Sequence, residues 1–304
     1  MLEIKKSVDT RPKKSIPELI ARYRLEPQVR DLFVEGRHDA TVIARFLRSL
    51  DLREVVVYEI STVDVPTDDV LTANLNDGNR GRVIYLAFEL EKYLEPDSRA
   101  VTCIADRDYD LLRNQVYESP FLLFVEYSCM EMYAFEPGIL DDMLAAVAPN
   151  LNKTGNEVLD ELEPVLRRLF LIRAANIILK LNLRWLPTFH ESCTITEKKI
   201  AFDEEDFIRR YLGKNAKLDD MAKFRDEITV LERLMEGDRR LFIRGHDFVD
   251  ALSWYLREHA SKSSPLHRRE IVDVLVLTHI DRHKLQKSGF FKKLISRLSV
   301  ERPV

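Results

Sequence analysis

Cysteine is scarce in this sequence of 304 residues, and the few that occur are isolated. The three cysteines, Cys103, Cys129 and Cys193, are far apart in the chain, and none forms a CxxC pair. This pattern excludes a zinc ribbon and a disulfide framework. No run of about eighteen apolar residues occurs, and the basic N-terminal residues 1–15 lack an apolar signal core. We therefore expect a reduced, soluble, cytoplasmic protein.

A strong excess of charge of either sign is also lacking. Charged residues make up 32% of the chain, but the formal net charge is only −4, which indicates no general affinity for polyanions. The sequence contains neither the GK[ST] of a P-loop nor the GxSxG of a serine hydrolase, which disfavours ATP binding and covalent hydrolase chemistry. A local basic run near the C-terminus is typical of either a solvated helix face or a nucleic-acid contact; it comprises Arg282, Lys284, Lys287, Lys292, Lys293 and Arg297.

The first half of the sequence alternates strand and helix patterns. Strands separated by helices indicate an α/β fold with a doubly wound, mainly parallel sheet. Apolar and β-branched runs predict strands at 31–34, 54–60, 99–105 and 121–125, and helical spacing of apolar residues predicts helices at 40–50 and 82–94.

From about residue 137 helical patterns dominate. A chain of 304 residues is long enough for two lobes. We expect an N-terminal segment 1–28, an α/β domain 29–136 and a mostly helical domain 137–304 that serves partner binding, dimerisation or substrate contact. The predicted helices of this last domain are 138–147, 157–183, 204–212, 221–235, 248–259 and 268 to the C-terminal end.

Two groups of acidic residues follow predicted strands. Glu35 comes directly after the first strand, with Asp39 in the first turn of the next helix, while Asp106, Asp108 and Asp110 directly follow the third strand. Ligands bind beyond the carboxyl ends of parallel strands, where the strand order reverses. If the first and third strands are neighbours, both groups face one crevice. Asp106 and Asp108 are expected to share a face of an extended segment.

Such a group of carboxylates favours a bound cation, because the like charges repel one another without one. Oxygen ligands suit Mg²⁺ or Mn²⁺, and the lack of nearby cysteine and histidine clusters argues against zinc. Two such ions can stabilise both the attacking and the leaving oxygen of a phosphodiester. The alternative is that the acids only occupy loops and helix N-termini, where the helix dipole favours negative charge.

The acidic pattern resembles that of the Toprim domain, the metal-binding fold of topoisomerases, primases and OLD-type nucleases. That family has a Glu after its first strand and an Asp-x-Asp after its third, which implies that Glu35, Asp106 and Asp108 hold a metal and carry catalysis. Glu35 is alternatively a general base. The EGxxD form around Asp39 is most similar to the OLD-type branch, in which the added acid helps to hold a second metal, with Asp110 as a further candidate.

A later segment, 126–135, is similar to a stretch of Toprim-like proteins from bacterial defence loci. Glu131 in this segment would supply another ligand to the second metal. The alternative is that the segment merely packs the start of a helix, through Met130, Met132, Tyr133 and Phe135.

In length and lobe order the whole chain resembles the AriB-type Toprim effectors of the PARIS anti-phage system. The resemblance implies a toxic nuclease that acts in abortive infection, is controlled by a partner ABC-type ATPase (AriA-like), and dimerises and cleaves host tRNA when released. Two alternatives stay open. One is a catalytically inactive Toprim-like module that docks a partner ATPase or nucleic acid, and the other is an OLD-type DNA nuclease.

The sequence indicates less clearly which residues would supply positive charge to the substrate phosphate. OLD-type nucleases use a late lysine, whereas this chain has Arg244-Gly245-His246-Asp247 at the matching place, so Arg244 or His246 would take that role. Arg80 and Arg82 precede a predicted helix whose N-terminus is suited to a phosphate. The alternative for both arginines is an ordinary helix-start loop.

Overall fold

The computed structural model describes residues 12–196, 199–260 and 264–299. These residues form two compact units. The first runs up to Ala105 and adds Tyr117–Phe124 and the chain from Lys293 onward, while the second comprises Asp106–Val116 and Val125–Lys292. This division differs from the expected domain boundaries at residues 28 and 136. Most of the basic N-terminal stretch lies outside the described residues.

In the first unit, strands and helices alternate along the chain, as the sequence predicts. The strands are β1 (Lys14–Ser15), β2 (Asp31–Val34), β3 (Val56–Glu59), β4 (Val63–Asp64), β5 (Val101–Ala105) and β6 (Leu122–Phe124), and the helices are α1 (Ile16–Leu25), α2 (Arg37–Ser49), α3 (Thr67–Thr72) and α4 (Asn79–Glu91).

The main sheet of this unit is parallel, which confirms the predicted α/β class. Its strand order is β3-β2-β5-β6, and every neighbouring pair runs parallel. All residues of β2 and β5 are buried. Because successive side chains point to opposite faces, both faces of these two central strands are covered. The chain leaves β2 toward β3 on one side and later returns to β5 on the other, so the order reverses between β2 and β5.

Local signals explain where the helices of the first unit begin. At the start of α1, the Glu18 N–H donates to Ser15 Oγ and the Ser15 N–H donates to Glu18 Oε2, a reciprocal capping box. Helices α2 and α4 each begin three residues before the predicted start, because their first turns are polar and carry no apolar signal. The apolar faces of α1 and α4 join the core of this unit, through Leu19, Val83 and Leu86.

The second unit is mostly helical, also as predicted. Its helices are α5 (Asp110–Arg113), α6 (Pro137–Val147), α7 (Gly155–Ile178), α8 (Glu204–Lys214), α9 (Met221–Glu232), α10 (Gly245–His259), α11 (Arg269–His279) and α12 (Arg282–Lys287), with an antiparallel pair β7 (Cys193–Ile195) and β8 (Ile200–Phe202); α13 (Gly289–Leu298) begins here and ends in the first unit.

The single helix predicted from residue 268 to the C-terminal end is wrong, since three separate helices occupy this region. A new helix starts at α12, where the Asp281 side chain accepts the His283 N–H at 2.7 Å. The basic run is divided accordingly. Arg297 is half-buried in the first unit, where its Nε donates to Thr102 Oγ1 at 3.1 Å, whereas Lys287 and Lys292 are exposed. Of the described helices, none has the length and apolar character needed to cross a membrane.

Candidate functional site

The turn after β2 carries the first two predicted site residues. Glu35 follows the last residue of β2, and its carbonyl accepts an N–H from Asn79 at the start of α4, at 2.8 Å. Asp39 lies in the first turn of α2, and its Oδ2 accepts the Gly36 N–H at 3.1 Å. This hydrogen bond satisfies a backbone donor that the helix leaves unpaired. Asp39 therefore has a structural function as a helix cap, whether or not it also binds a metal.

The two arginines of the α4 start have different surroundings. Arg82 donates from Nε and Nη2 to Asp77 Oδ1, at 3.1 and 2.8 Å, and so braces the turn before the helix. The Arg80 guanidinium lies over the rings of Tyr117 and Phe124, with centroid distances of 5.4 and 5.7 Å. The local packing of both side chains is that expected for an ordinary helix-start loop.

The acids that follow β5 lie on a turn and not on an extended segment. Asp108 has a φ of 46°, in the left-handed region that Asp adopts more readily than most residues. Its N–H donates to the Ser128 carbonyl at 2.9 Å, and α5 begins two residues later at the buried Asp110. The extended segment expected over Asp106 and Asp108 ends at Asp108, because the chain turns there.

Glu131 is buried, with 7% of its surface exposed, at the N-terminus of α10. A methyl group added to Gly245, the first residue of that helix, would overlap the Glu131 carboxylate and lie 2.9 Å from Cys129 Sγ. The Gly245 N–H donates to the same sulfur at 3.2 Å. The carboxylate thus lies at the positive end of the α10 dipole, a position that stabilises negative charge. The alternative hypothesis for this segment is that it packs the start of a helix. The neighbouring side chains agree with it, since all four are buried: Met130, Met132, Tyr133 and Phe135.

Two carboxylates act on Cys129 in the second unit. Burial raises the pKa of the Cys129 thiol well above its usual value, and the charges of Glu131 and Asp106 raise it further. The thiol is therefore protonated at neutral pH and is not a nucleophile. The same effect shows that Asp106 and Glu131 both lie within electrostatic reach of one sulfur atom.

Arg244 belongs to the same charged group. Burial lowers its pKa, but the interactions with the Tyr109 phenol and with the carboxylates of Asp247 and Asp108 outweigh burial and raise the pKa overall. Desolvation of the imidazole lowers the pKa of His246, followed by the charge of Arg244. Arg244 is thus a fixed cation near Asp108, while His246 is neutral at pH 7.

Asp247, the last residue of this motif, anchors α10 to α7. Arg173 donates from Nε and Nη2 to the two Asp247 oxygens, both at 2.7 Å, in a two-pronged ion pair. The Arg173 guanidinium also stacks 3.4 Å from the centroid of the Trp185 ring. Asp247 is 4% exposed, so this pair holds the start of α10 in place from the interior of the unit.

The acidic residues have the right oxygen ligands for a divalent cation, but in the described residues they are not gathered into a metal site. Carboxylate oxygens are the ligands that Mg²⁺ and Mn²⁺ prefer. Across residues 12–196, 199–260 and 264–299, no three His, Cys, Asp or Glu side chains form a group that could already hold a metal ion. Glu35 and Asp39 belong to the first unit, and Asp106, Asp108, Asp110 and Glu131 belong to the second.

Three residues of this region do not emerge from sequence reasoning as parts of the site: Cys129, Arg173 and Gly245. Cys129 is an isolated cysteine, and Arg173 lies in the middle of a long helical pattern that contains several other arginines. Gly245 offers a weak signal, since a glycine at a helix start often marks a close approach of another group. The partner in that approach cannot be read from the pattern.

No protein-family model matches this chain, and no curated protein matches it.

Proposed function

We propose that this protein is a divalent-metal-dependent phosphodiesterase of the Toprim type. The observation that supports it most is the strand order β3-β2-β5-β6, which makes β2 and β5 parallel neighbours. Glu35 is the residue after the last of β2, and Asp106 is the residue after the last of β5. Ligands bind at such a reversal of strand order, and carboxylates at the two strand ends are suited to a divalent cation.

The proposal assigns different functions to the acids. Glu35, Asp106 and Asp108 would hold the first metal ion, and Asp39, Asp110 and Glu131 would contribute to a second. Bound Mg²⁺ or Mn²⁺ would supply charge that stabilises the phosphodiester as it is hydrolysed. The hydrogen bond from the Gly36 N–H to Asp39 and the turn at Asp108 fix the backbone from which these two carboxylates project.

Positive charge in the proposed site comes from the start of α10. Arg244 stays protonated throughout the ordinary pH range and lies within electrostatic reach of Asp108. It would offset negative charge on the substrate phosphate. Neutral His246 would donate or accept a hydrogen bond there.

The biological role that we propose is that of a toxic effector in anti-phage defence. Its support is the resemblance in acidic pattern and lobe order to AriB-type Toprim effectors. By that resemblance the substrate is RNA, specifically host tRNA, a partner ABC-type ATPase restrains the enzyme, and the released chain forms a homodimer. An ABC-type ATPase gene directly beside this one would support the restraint.

A second candidate function is a non-catalytic binding module. The observation that favours it is that two of the acids already contact helix starts, since Asp39 Oδ2 accepts the Gly36 N–H and Glu131 lies against Gly245. Under this alternative, Asp39 and Glu131 serve only the helices whose N-termini they contact.

Replacement of one acid separates the two functions. Glu35→Gln keeps the size of the side chain but removes its charge, and Glu91→Gln does the same at an exposed position near the end of α4. Purified variants would be incubated with tRNA and with plasmid DNA, in Mg²⁺, in Mn²⁺ and in EDTA. We expect the parent protein and Glu91→Gln to cleave tRNA. In Glu35→Gln the rate of cleavage should fall by roughly 100-fold or more, and in EDTA no protein should cleave.

The contrary results are equally specific. Unchanged cleavage by Glu35→Gln would show that Glu35 is not a catalytic residue. Unchanged cleavage in EDTA would show that the reaction does not need a divalent metal. Absence of cleavage with every substrate, while the parent protein still binds tRNA or the partner ATPase, would favour the binding module. Cleavage of plasmid DNA alone would instead assign the protein to the OLD-type DNA nucleases.

A further inference from the structure

The amino ends of β2 and β5 carry arginines, in contrast to the acids that follow their carboxyl ends. Arg30 is the residue before β2, and Arg99 lies two residues before β5. The Asp31 N–H donates to the Ala100 carbonyl at 2.9 Å, so the two strands are already paired where these arginines occur. Both side chains belong to the first unit.

These arginines donate to neutral carbonyl groups. Arg30 Nη1 donates to the carbonyls of Pro27 and Val29, at 3.0 and 2.7 Å, and Arg99 Nη1 donates to the Ser299 carbonyl at 2.7 Å. Nearby, Arg24 donates to the Tyr93 carbonyl. Within the described ranges, none of the three guanidinium groups has a carboxylate oxygen within 4.0 Å. Their charges therefore have no ion-pair partner there.

The positive charges also act on one another. Burial lowers the pKa of Arg30, and the Arg99 charge lowers it further. The pKa of Arg297 is lowered as well, mainly by burial, with Arg99 again a contributor. The repulsion between these cations is relieved when an anion binds near them.

An open cavity adjoins these side chains. Its volume is about 570 Å³, within the usual range for small-molecule sites, and Arg24, Arg30 and Arg99 all line it. Tyr93, whose surface is 50% exposed, and Leu94 provide an apolar wall. Glu95 and Asp97 also line the cavity and can accept hydrogen bonds from hydroxyl groups.

We propose that this cavity binds a free nucleoside phosphate. The phosphate contacts Arg30 and Arg99, because fork-shaped guanidinium groups match phosphate oxygens. The base packs against Tyr93 and Leu94, and the ribose hydroxyls donate to Glu95 or Asp97. The site contains none of the acids of the proposed nuclease centre, so it stands independently of that function.

The test is an isothermal calorimetric titration of the full-length protein with AMP and with ATP, both in EDTA. We expect saturable binding of one nucleotide per chain. Arg30→Gln and Arg99→Gln should each weaken it at least tenfold, whereas Glu35→Gln should not change it. Arg53→Gln is the matched arginine control in the same unit, because Arg53 is 80% exposed and its ion pair with Asp51 lies at the surface.

A further variant guards against misfolding of the arginine variants. Ser98→Glu leaves both arginines in place and adds a carboxylate to the cavity lining, so it should also weaken the nucleotide at least tenfold while the thermal unfolding midpoint is retained. Inorganic phosphate should compete with AMP.

Three results would overturn the proposal. The first is the absence of saturable nucleotide binding by the parent protein. The second is binding that Arg30→Gln, Arg99→Gln and Ser98→Glu all leave unchanged. The third is binding of a single-stranded RNA that depends on Arg99 while AMP and ATP do not bind, which would assign the arginines to a nucleic-acid backbone.

Discussion

The starts of α2 and α10 are built from the same parts but in different ways. Each has a glycine at or beside the first residue of the helix and a carboxylate at the positive end of the helix dipole. At α2 the carboxylate is Asp39, three residues beyond Gly36. At α10 it is Glu131, which belongs to a different part of the chain and lies against Gly245.

The two glycines differ accordingly. No atom would lie within 4 Å of a methyl group added to Gly36, whereas one added to Gly245 would overlap Glu131. The start of α2 is thus a local arrangement that tolerates change, and the start of α10 is a tertiary contact with no spare volume. Substitutions at the two helix starts should therefore lower the free energy of unfolding by different amounts.

The largest effect is expected from the ion pair that anchors α10. Arg173→Ala removes both hydrogen bonds to the buried Asp247 and leaves its charge without its main partner, so the free energy of unfolding should fall by about 3 kcal/mol. Urea denaturation measures the loss. Arg167→Ala on the same helix is the control, because its partner Glu163 is one turn away near the surface and the expected loss is below about 0.5 kcal/mol. Equal losses in the two variants would show that α10 does not depend on this anchor.

An intermediate effect is expected at Gly245. Gly245→Ala should lower the free energy of unfolding by about 1–3 kcal/mol, since the new methyl group must displace Glu131 or the helix start. Gly36→Ala should cost less than about 1 kcal/mol, because its extended backbone suits alanine and the space is open. The same denaturation assay compares the two. A Gly245→Ala protein as stable as the parent would mean that the contact with Glu131 is loose.

The smallest effect is expected at Asp39. Asp39→Ala removes the acceptor of the Gly36 N–H and should cost about 1 kcal/mol, while Asp39→Asn keeps an acceptor oxygen and should cost less. Thermal unfolding in EDTA measures the cap without any metal contribution. If both variants lost the same amount, the negative charge of Asp39, and not its hydrogen bond, would stabilise α2.

Much of the fold could be predicted from the sequence because its signals are local. The buried strands β2 and β5 are short apolar runs, and both were predicted to within two residues at each end. Helix starts were less accurate, since the polar first turns of α2 and α4 carry no apolar periodicity. The break before α12 was missed because its signal is a single capping side chain, Asp281.

The candidate site was predictable only in part. That acids follow β2 and β5 is a property of the chain, but that these strands are neighbours depends on pairing across some seventy residues. Strand alternation does not predict the turn at Asp108. The contacts of Gly245 with Cys129 and of Arg173 with Asp247 join residues that are 116 and 74 positions apart, and no local pattern encodes such contacts.

By itself the sequence determined the α/β class of the first unit, the helical character of the second, and which residues are placed at strand ends. Backbone preferences and apolar periodicity act over a few residues, so a short stretch suffices to fix them. Only the tertiary structure decided that β2 lies beside β5, that Arg30 and Arg99 line one cavity, and that Glu131 lies against α10. These arrangements depend on the free energy of burying apolar surface and of pairing charges between distant segments. No single stretch of sequence determines that free energy.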